Sequence, residues 1–301
     1  MANSKPSRHD QRAAISVVIP TRNEEANIAA CIESVLWAEQ IFVVDSGSTD
    51  GTIANAQRYP VQVVQFQYQP SGPKKYNWSL EHLPFAHDWV LLLDADERVS
   101  PELREEIQAA IVTEQYAGYY VNLQYIFLGG WLRHCWNPVW RMRLFKHRLG
   151  RFEHFTGSAA TGTGDNEVHE QVILQGEASF LRHHIIHHDY KPYAAWLDKH
   201  NRYSTWEAAV AVDLLREPLA LNPLRYLRAT PVRRRRMLKG LLLRLPGRPF
   251  IVFLWLYVWR RGFLDGYRGL AFSLSIASYW LAIGIKIRET RLMGASGTGH
   301  R

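Results

Sequence analysis

The apolar run of residues 89–93 is followed by two carboxylates, Asp94 and Asp96, and this stretch constrains the fold more than any other. An uncharged run of this length predicts a buried strand that delivers polar side chains to one edge of a sheet. Because residues i and i+2 of a strand point to the same face, both acids could bind one divalent cation and leave positions for a phosphate. A strand ending in a polar turn, with Ser100 capping a helix that Pro101 begins, explains the same residues without a metal.

Strands and helices alternate along the N-terminal part of the chain. Residues 15–19, 41–44 and 61–66 are short β-branched runs, and apolar residues at helical spacing follow the first of them. This alternation implies a parallel α/β sheet, whose ligands bind beyond the carboxyl ends of the strands. The polar residues that fall at those ends are Pro20, Thr21, Arg22, Asn23, Glu24, Asp45, Ser46, Asp50, Lys74 and Asn77.

Composition limits the partners and the compartment. A chain of 301 residues, 47% of them apolar, can form one large domain with an appendage, and its formal charge of +8 favours an anionic partner. Cys31 and Cys135 are the only cysteines and lack metal-ligand spacing, so we expect a reducing cytosol and no disulfide framework. Residues 1–12 and 291–301 are small or polar, which predicts a disordered lead and a disordered tail.

Residues 116–190 are predicted to complete the α/β domain that residues 13–115 begin. An alternating strand at residues 118–127 is followed by Trp131, Arg133, Trp136, Trp140, Arg141 and Arg143. These residues predict an aromatic and basic surface, although a tryptophan-rich core explains each Trp taken singly. We expect a flexible loop at residues 161–171, because its glycines lack the flanking strand and Lys-Ser/Thr of a P-loop.

Four histidines, His183, His184, His187 and His188, form the densest group of potential metal ligands. Their i, i+4 spacing suits zinc only on a helix, whereas the apolar residues around them predict a strand, and no third ligand stands near. A structural zinc site is therefore disfavoured.

The C-terminal part, residues 191–290, is predicted to be helical. Arginines alternate with leucines at residues 224–244, and the apolar runs 250–259 and 270–285 are each shorter than the roughly 20 residues that cross a bilayer. A buried helical appendage is one interpretation. We favour a membrane-associating region that binds anionic lipid, with Trp255, Tyr257, Trp259, Tyr279 and Trp280 at the headgroup level, and tilted insertion as a further option. Nucleic acid is a weaker partner, because the cations alternate with leucines and not with stacking aromatics.

Three motifs together resemble family 2 glycosyltransferases. They are Val17-Val-Ile-Pro20-Thr-Arg-Asn23-Glu24-Glu25, Val43-Val-Asp45-Ser-Gly-Ser-Thr-Asp50-Gly-Thr and Leu93-Asp94-Ala-Asp96-Glu97, in that family's order and spacing. The resemblance implies a GT-A fold with a Rossmann-like, mostly parallel sheet, a nucleotide-sugar donor, and Mg²⁺ or Mn²⁺ bound through the Asp-x-Asp motif. Ser46 and Arg22 depart from the family's second acid and its aromatic residue, which leaves the base of the nucleotide open.

The resemblance implies a catalytic domain at residues 13–190, with a nucleotide-binding half at residues 13–115 and an acceptor half at residues 116–190. It also assigns roles to single residues. It implies a nucleoside pocket at residues 20–24 and 45–50, donor contacts at Lys74, Asn77, Asp94, Ala95 and Arg143, and metal contacts at Asp94, Asp96 and His187. Glu170, in the sequence Val168-His169-Glu170, is the implied general base of an inverting transfer, with Asp165 and Glu167 in reserve.

The C-terminal part extends the resemblance. Residues 260–269 are similar to the tail of lipopolysaccharide-core and capsule transferases, which implies a lipid-linked glycan acceptor and a location at the cytoplasmic face of a bacterial inner membrane. A nucleotidyl- or phosphotransferase using the same metal site, and a non-enzymatic protein of the membrane surface, are the alternatives.

Overall fold

The computed structural model describes residues 12–69, 72–153, 171–216 and 231–296. The chain divides into two compact units. Among the described residues, the first contains those up to 133, residues 137–153 and residues 171–191. The second contains residues 134–136 and the described residues from 192 onwards, so a short stretch near residue 135 belongs with the C-terminal unit.

Four parallel strands form the first half of the sheet, in the order β3-β2-β1-β4. They are β1 (Ala13–Thr21), β2 (Ala38–Asp45), β3 (Gln62–Gln65) and β4 (Trp89–Leu92), and the helices between them are α1 (Ile28–Glu33), α2 (Thr52–Ala56) and α3 (Lys75–His82). Thr21 pairs with Asp45 and Asp45 with Gln65, so these strands end side by side. The loops after them consequently open at one edge of the sheet.

The second half of the sheet is mixed in direction. The elements that follow along the chain are β5 (Glu97–Val99), α4 (Pro101–Thr113), β6 (Gly118–Phe127), β7 (Gly130–Trp131), β8 (Trp140–Lys146), β9 (Gly150–Phe152), β10 (Val172–Leu174) and β11 (Ala178–His187). Strands β9 and β10 pair with each other in a separate two-stranded antiparallel sheet. The sheet order continues β4-β8-β6-β11-β5, with β8 and β5 antiparallel to their neighbours and β11 parallel to β6. The α/β fold with a mostly parallel central sheet is confirmed. The histidines of residues 183–187 lie on β11, as predicted.

The core covers both faces of the sheet. Apolar side chains alternate along the strands: Val17, Ile19 and Leu91 face the cluster that packs on α1 and α4, whereas Val18 and Leu92 face the cluster that packs on α3. Burial on both faces explains why the strands are uninterrupted apolar runs.

The acidic stretch differs from the expectation. Strand β4 ends at Leu92, and Asp94 and Asp96 lie in a turn in which the amide of Glu97 donates to the carbonyl of Asp94 at 2.9 Å. The rule that residues i and i+2 point to the same face applies to a strand, and it does not apply to two acids in a turn. The prediction that both side chains lie side by side on one strand face was therefore wrong.

The second unit is helical. Its described elements are α5 (Tyr193–Arg216), α6 (Pro231–Arg244), α7 (Arg248–Leu254), a π-helical turn (Trp255–Trp259), a 3₁₀ turn (Gly262–Asp265) and α8 (Gly266–Ser296). One expectation fails here, because residues 291–296 continue α8, where a disordered tail was expected. The apolar run 270–285 lies within a longer helical stretch, residues 262–292, which is long and apolar enough to cross a membrane. Length and composition alone do not distinguish such a helix from the core helix of a soluble unit.

A single carboxylate, that of Asp265, ties residues 134–136 to the helices of the second unit. It accepts hydrogen bonds from the backbone amides of His134, at 3.0 Å, and Cys135, at 2.9 Å, and lies 2.8 Å from Nδ1 of His134. The ring of Trp136 contacts that of Phe272 edge-on. Trp136, which is half-buried, therefore packs against α8 of the second unit.

Candidate active site

A cavity of about 370 Å³ lies at the carboxyl ends of β1, β2 and β3. Arg22, Ser46 and Gly47 line it together with residues 65–68. Gly47 has a φ of +71°, which glycine adopts without strain, and it turns the chain directly after β2. The hydroxyl of Ser46 is buried and makes no hydrogen bond to another described residue, so it can bond to a ligand.

The sequence analysis placed Arg22 and Ser46 in the nucleoside pocket, and both line this cavity. It missed the far wall, Gln65, Phe66, Gln67 and Tyr68. These residues follow the third strand just as the predicted ones follow the first and second strands. Their position at a strand end was the signal that could have identified them.

Hydrogen bonds join the loops that follow β1 and β2. Asn23, with a φ of +56°, donates from its amide to Ser48 at 2.9 Å and accepts from the amide of Thr49 at 2.8 Å. The amide of Glu25 donates to Asp50. Burial opposes ionisation of Asp50, but hydrogen bonds from Thr52 outweigh that effect and lower its pKa. Asn23 thus bonds to the loop after β2, and Asp50 bonds to the loop after β1. These hydrogen bonds fix the two loops against each other.

Asp45, Thr21 and the neighbouring Pro20 lie at the ends of β1 and β2, from which these loops leave the sheet. Both oxygens of Asp45 accept hydrogen bonds, from the hydroxyls of Thr21 and Ser48 and from the amide of Ser48. Lys75 is buried and donates to the carbonyl oxygen of Thr21 at 2.9 Å. Pro20, which has no amide hydrogen to donate, continues β1 beside Val44. Asp45 is therefore saturated by the protein itself.

The residues of α3 were predicted as donor contacts, and the structure gives them two kinds of position. Lys74 is the residue before α3, in an extended conformation. Asn77 lies on α3 and exchanges two hydrogen bonds with the backbone of Phe152, at 3.0 and 2.8 Å. The amide of Asn77 thus fixes β9 against the helix, which is a structural role.

A buried ionic cluster lies beneath the acidic turn. The guanidinium of Arg143 contacts Oδ2 of Asp94 and Oε1 of Glu97, both at 2.5 Å, and the Tyr76 hydroxyl donates to Oδ1 of Asp94 at 2.6 Å. Glu97 is fully buried, and its second oxygen accepts from the amide of Asp94 at 3.0 Å. Sequence reasoning missed Tyr76 and gave Glu97 no role, since nothing in the chain order pairs them with Arg143.

Electrostatics in this cluster favour ionised acids and a protonated phenol. Burial alone would raise the pKa of Asp94, but the guanidinium of Arg143 and the hydrogen bond from Tyr76 lower it to about 2. Burial, followed by the charge of Asp94, raises the pKa of Tyr76. Arg143 is held by carboxylates of its own chain. The structure therefore does not present it as an open phosphate contact.

Asp96 faces the other way, towards the end of β11. Its Oδ1 lies 3.5 Å from Nδ1 of His187, which is also 3.8 Å from Oε1 of Glu97. The proximity follows from the sheet, because β5 pairs antiparallel with β11 and places Glu97 opposite His187. Arg98 holds the turn by donating from Nη1 to the carbonyl oxygens of Asp96 and His188. Ala95, between the two acids, is buried in the core.

Glu24, in the loop after β1, lies near Asp96. Its carboxylate accepts from Asn27 at 2.8 Å and pairs with Lys191 at 2.7 Å, and Asn27 also donates to Asp189 at 2.8 Å. Burial, and then the nearby charge of Asp96, raise the pKa of Glu24. The structure thus brings Glu24, Asp96 and His187 into one acidic region at the strand ends.

The residues of this region fit a divalent cation that is completed by a substrate. In the described ranges no three His, Cys, Asp or Glu side chains converge as a closed metal site. Mg²⁺ is commonly held by one or two carboxylates plus substrate phosphates, at about 2.0–2.1 Å from each oxygen. Two ligands at right angles on such an ion are about 3 Å apart. The distance of 3.5 Å between Oδ1 of Asp96 and Nδ1 of His187 is close to that spacing.

The remaining histidines have other surroundings. His183 lies 2.9 Å from a Glu106 oxygen, and the His184 ring contacts Trp131 edge-on. Glu170, Asp165 and Glu167 lie outside the described residues.

A mostly parallel sheet with a cavity and carboxylates at its strand ends defines an α/β enzyme that binds its ligand at that edge. Residues 16–164 match the profile of Glycosyl transferase family 2. The lipopolysaccharide core biosynthesis glycosyltransferase LpsC of Rhizobium meliloti is 30% identical over 216 residues, which cover 68% of this chain and 74% of LpsC. The chain belongs to glycosyl transferase family 2 and is a glycosyltransferase.

Solved structures show more distant similarity. Glucosyl-3-phosphoglycerate synthase of Mycobacterium tuberculosis, in complex with Mn²⁺, uridine diphosphate and glucosyl-3-phosphoglycerate, is 29% identical, with a TM-score of 0.31 over 38% of this chain and 44% of that one. S. aureus TarS 1–349 in complex with UDP-GlcNAc is 14% identical, with a TM-score of 0.39 over 92% of both chains.

Proposed function

We propose that this enzyme transfers a sugar, with inversion, from a nucleotide-sugar donor to a lipid-linked glycan at the cytoplasmic face of a bacterial inner membrane. One observation carries the proposal: the cavity at the ends of β1–β3 and the Asp96–His187 pair occupy the same sheet edge in a chain of glycosyl transferase family 2. The acceptor class rests on the relative named for lipopolysaccharide core biosynthesis.

The cavity is the proposed nucleoside site. Arg22 and the amides of Gln65 and Gln67 supply donors and acceptors, and Phe66 and Tyr68 supply apolar surface. The oxygens of Asp45 are occupied by Thr21 and Ser48, so Ser46, Gln65 and Gln67 are left to recognise the base. Such a pocket combines apolar walls with a few placed polar groups, as small-molecule sites do.

Asp96 and His187 are the proposed metal ligands, and Mg²⁺ or Mn²⁺ is the proposed cation. A bound cation there would neutralise charge on the donor diphosphate as it leaves. Asp94 shares the predicted assignment, but both its oxygens are engaged by Tyr76 and Arg143. We therefore assign to Asp94 and Glu97 the task of holding the turn that presents Asp96.

Glu170 is the proposed general base. An inverting transfer needs one carboxylate to take the proton from the acceptor hydroxyl while the oxygen attacks C1 of the donor sugar. The bond from C1 to the diphosphate breaks as the new glycosidic bond forms, and nucleoside diphosphate is released. Release of nucleoside diphosphate, and not pyrophosphate, distinguishes this reaction from nucleotidyl transfer.

The donor is testable by thermal stabilisation. A panel of nucleotide sugars, each with Mg²⁺, with Mn²⁺ and with a chelator, should show one nucleotide class that raises Tm only when the cation is present, because a bound ligand stabilises by mass action. Asp96→Asn should lose the cation-dependent part of that rise. The matched control is Asp88→Asn, an exposed aspartate at the opposite end of β4, which should behave as wild type.

The base is tested separately. Glu170→Gln should keep the donor-dependent rise in Tm and lose transfer to the acceptor, since only proton removal is affected. Full transfer by Glu170→Gln would move the base to Asp165 or Glu167. Cation-dependent stabilisation of Asp96→Asn equal to that of wild type would refute the metal assignment.

A further inference from the structure

In the described part of the helical unit, exposed apolar side chains form a long stripe along one helix. On α8, Tyr267, Leu274, Leu281, Ile285 and Leu292 are all exposed, Tyr267 by 76% and Leu292 by 70%. They follow one another at spacings of seven or four residues, which keeps them on one side of a helix with 3.6 residues per turn. The stripe is about 37 Å long at 1.5 Å per residue.

The preceding helical segment adds aromatic side chains to this surface. Phe250, Leu254, Trp255, Val258 and Trp259 are exposed on α7 and the π-helical turn, Trp259 by 80%. Arg248 at the start of α7 lies beside Gly284, and Leu256, the second residue of the π-helical turn, lies beside Gly262. The segment Arg248–Trp259 and α8 therefore form an antiparallel hairpin. We name its exposed side chains the apolar hairpin face.

Arginines lie at both ends of the hairpin. Arg248, Arg288 and Arg291 are close enough together that, after burial, the charges of the other two depress the pKa of Arg248. None of these three forms an ion pair with a described carboxylate. At the turn are Arg260, whose guanidinium lies over the Trp255 ring, and the exposed Arg261 and Arg268. Asp265, in the 3₁₀ turn, accepts hydrogen bonds from the amides of His134 and Cys135.

The hairpin cannot stand upright in a bilayer. Arg248–Trp259 is about 18 Å long, against about 30 Å of hydrocarbon, so an upright hairpin would leave Arg260 and Arg261 inside the membrane.

The packing of α8 on α5 also argues against a membrane-spanning orientation. The other side of α8 packs on α5, where Lys286 donates to Asn201, Ser204 and Thr205, and where Asp198 and Arg202 are exposed. A spanning α8 would carry these charges with it, at a cost of several kcal/mol per charge by most scales.

We propose that the apolar hairpin face lies flat in the interface of an anionic bilayer, immersed in one leaflet, with the arginines at both ends bound to lipid phosphates. A chain of apolar and aromatic residues between arginine clusters matches the acyl, headgroup and phosphate layers that an in-plane helix meets. The inference adds the mode of attachment to the proposed function, on whose lipid-borne acceptor it rests, but its tests require no turnover. Tyr279 and Trp280, predicted at the headgroup level, pack instead against the core of the helical unit.

Vesicle binding by the full chain tests the face. With vesicles of phosphatidylglycerol and phosphatidylethanolamine, Phe250→Asp with Trp259→Asp should weaken co-sedimentation by tenfold or more. Arg288→Gln with Arg291→Gln should weaken it by about fivefold per arginine at low salt. Val112→Asp, an exposed apolar residue of α4, and Arg58→Gln, an exposed arginine of the first unit, are the matched controls and should bind as wild type.

Depth measurements test the orientation. Both native cysteines are buried, so a spin label will react with a cysteine placed at Tyr267, Leu281 or Leu292. An in-plane α8 puts all three labels at one depth, about 5–10 Å below the headgroups. Labels at opposite surfaces with Leu281→Cys at the bilayer centre would overturn the proposal in favour of a spanning helix.

Two other results would also overturn it. One is vesicle binding that the Asp variants leave unchanged. The other is a lipid-free dimer that Phe250→Asp with Trp259→Asp dissociates, without vesicle binding by the wild type, which would assign the face to a second copy. Donor-dependent Tm shifts measured in solution are independent of these outcomes, so failure of the membrane proposal and failure of the proposed transfer are distinguishable.

Discussion

Replacing Arg143 by methionine should destabilise the first unit by about 3–5 kcal/mol, the usual cost of removing one partner from a buried ion pair. The guanidinium forms charge-assisted hydrogen bonds to Asp94 and Glu97, and Glu97 has no exposed surface on which water could replace the lost partner. Most of the cost therefore falls on Glu97.

Asp94 contributes less. Its pKa falls from an ordinary 3.8 to about 2, which corresponds to roughly 2.4 kcal/mol for a fully desolvated group. Because 40% of its side chain is exposed, solvent screening reduces the share to roughly 1 kcal/mol. This share is fully present above pH 3.8 and is lost as the pH falls through 2, since a lowered folded-state pKa means that the unfolded chain binds the proton first.

Hydrogen exchange of the amides in residues 89–99, followed against urea, measures the change inside the first unit without assuming that both units unfold together. The control is Arg141→Met, since Arg141 is an exposed arginine on the same strand, and it should change stability by less than about 0.5 kcal/mol. Adding Glu97→Gln to Arg143→Met should recover part of the loss, because no buried charge then remains unpaired at that position. A loss below about 1 kcal/mol in Arg143→Met would refute the reasoning.

Three further predictions concern other parts of the chain. Burial lowers the pKa of His200 to about 4, so its stabilising contribution is complete above pH 6.5 and is lost as the pH falls towards 4; Tm should drop over this range, and His200→Phe should flatten the drop. Gly269→Ala should destabilise the helical unit by about 1–3 kcal/mol in thermal unfolding, because the added Cβ would stand 1.9 Å from the carbonyl oxygen of Gly262, whereas Gly240→Ala, which meets only the end of an arginine, should be tolerated. Tyr76→Phe should cost about 1 kcal/mol and raise the pKa of Asp94, measurable by carboxyl NMR titration; an unchanged pKa would show that Arg143 alone sets it.

The sequence predicted the elements that depend on local pattern. Uninterrupted apolar runs marked β1, β2 and β4, and chain order alone placed the loops after β1 and β2 at one edge, because parallel strands must end together. The resemblance to family 2 glycosyltransferases then assigned Arg22 and Ser46, on these loops, to the nucleoside pocket. The alternating run at residues 118–127 likewise corresponds to β6.

Partners distant in sequence could not be predicted. Arg143 meets Glu97 across 46 residues, and only the register of β4, β8 and β5 brings them together. Asp94 and Asp96 were misplaced for a related reason: a strand pattern does not reveal where the chain leaves the sheet. On the helical side, apolar content did not distinguish Trp280, which packs against the core of the helical unit, from Trp259 of the π-helical turn, which is exposed, since that depends on how the helices pack together.

The carboxylate of Asp265 has a consequence for how this protein can be divided or recombined. It caps the amides of His134 and Cys135, which lie 130 residues earlier in the chain. A chain truncated after Lys191 would keep residues 134–136 but lose their acceptor, and a C-terminal fragment would carry Asp265 without the two amides that donate to it. The helical region can therefore not be exchanged on its own. A functional chimera would have to exchange residues 134–136 together with the C-terminal helices.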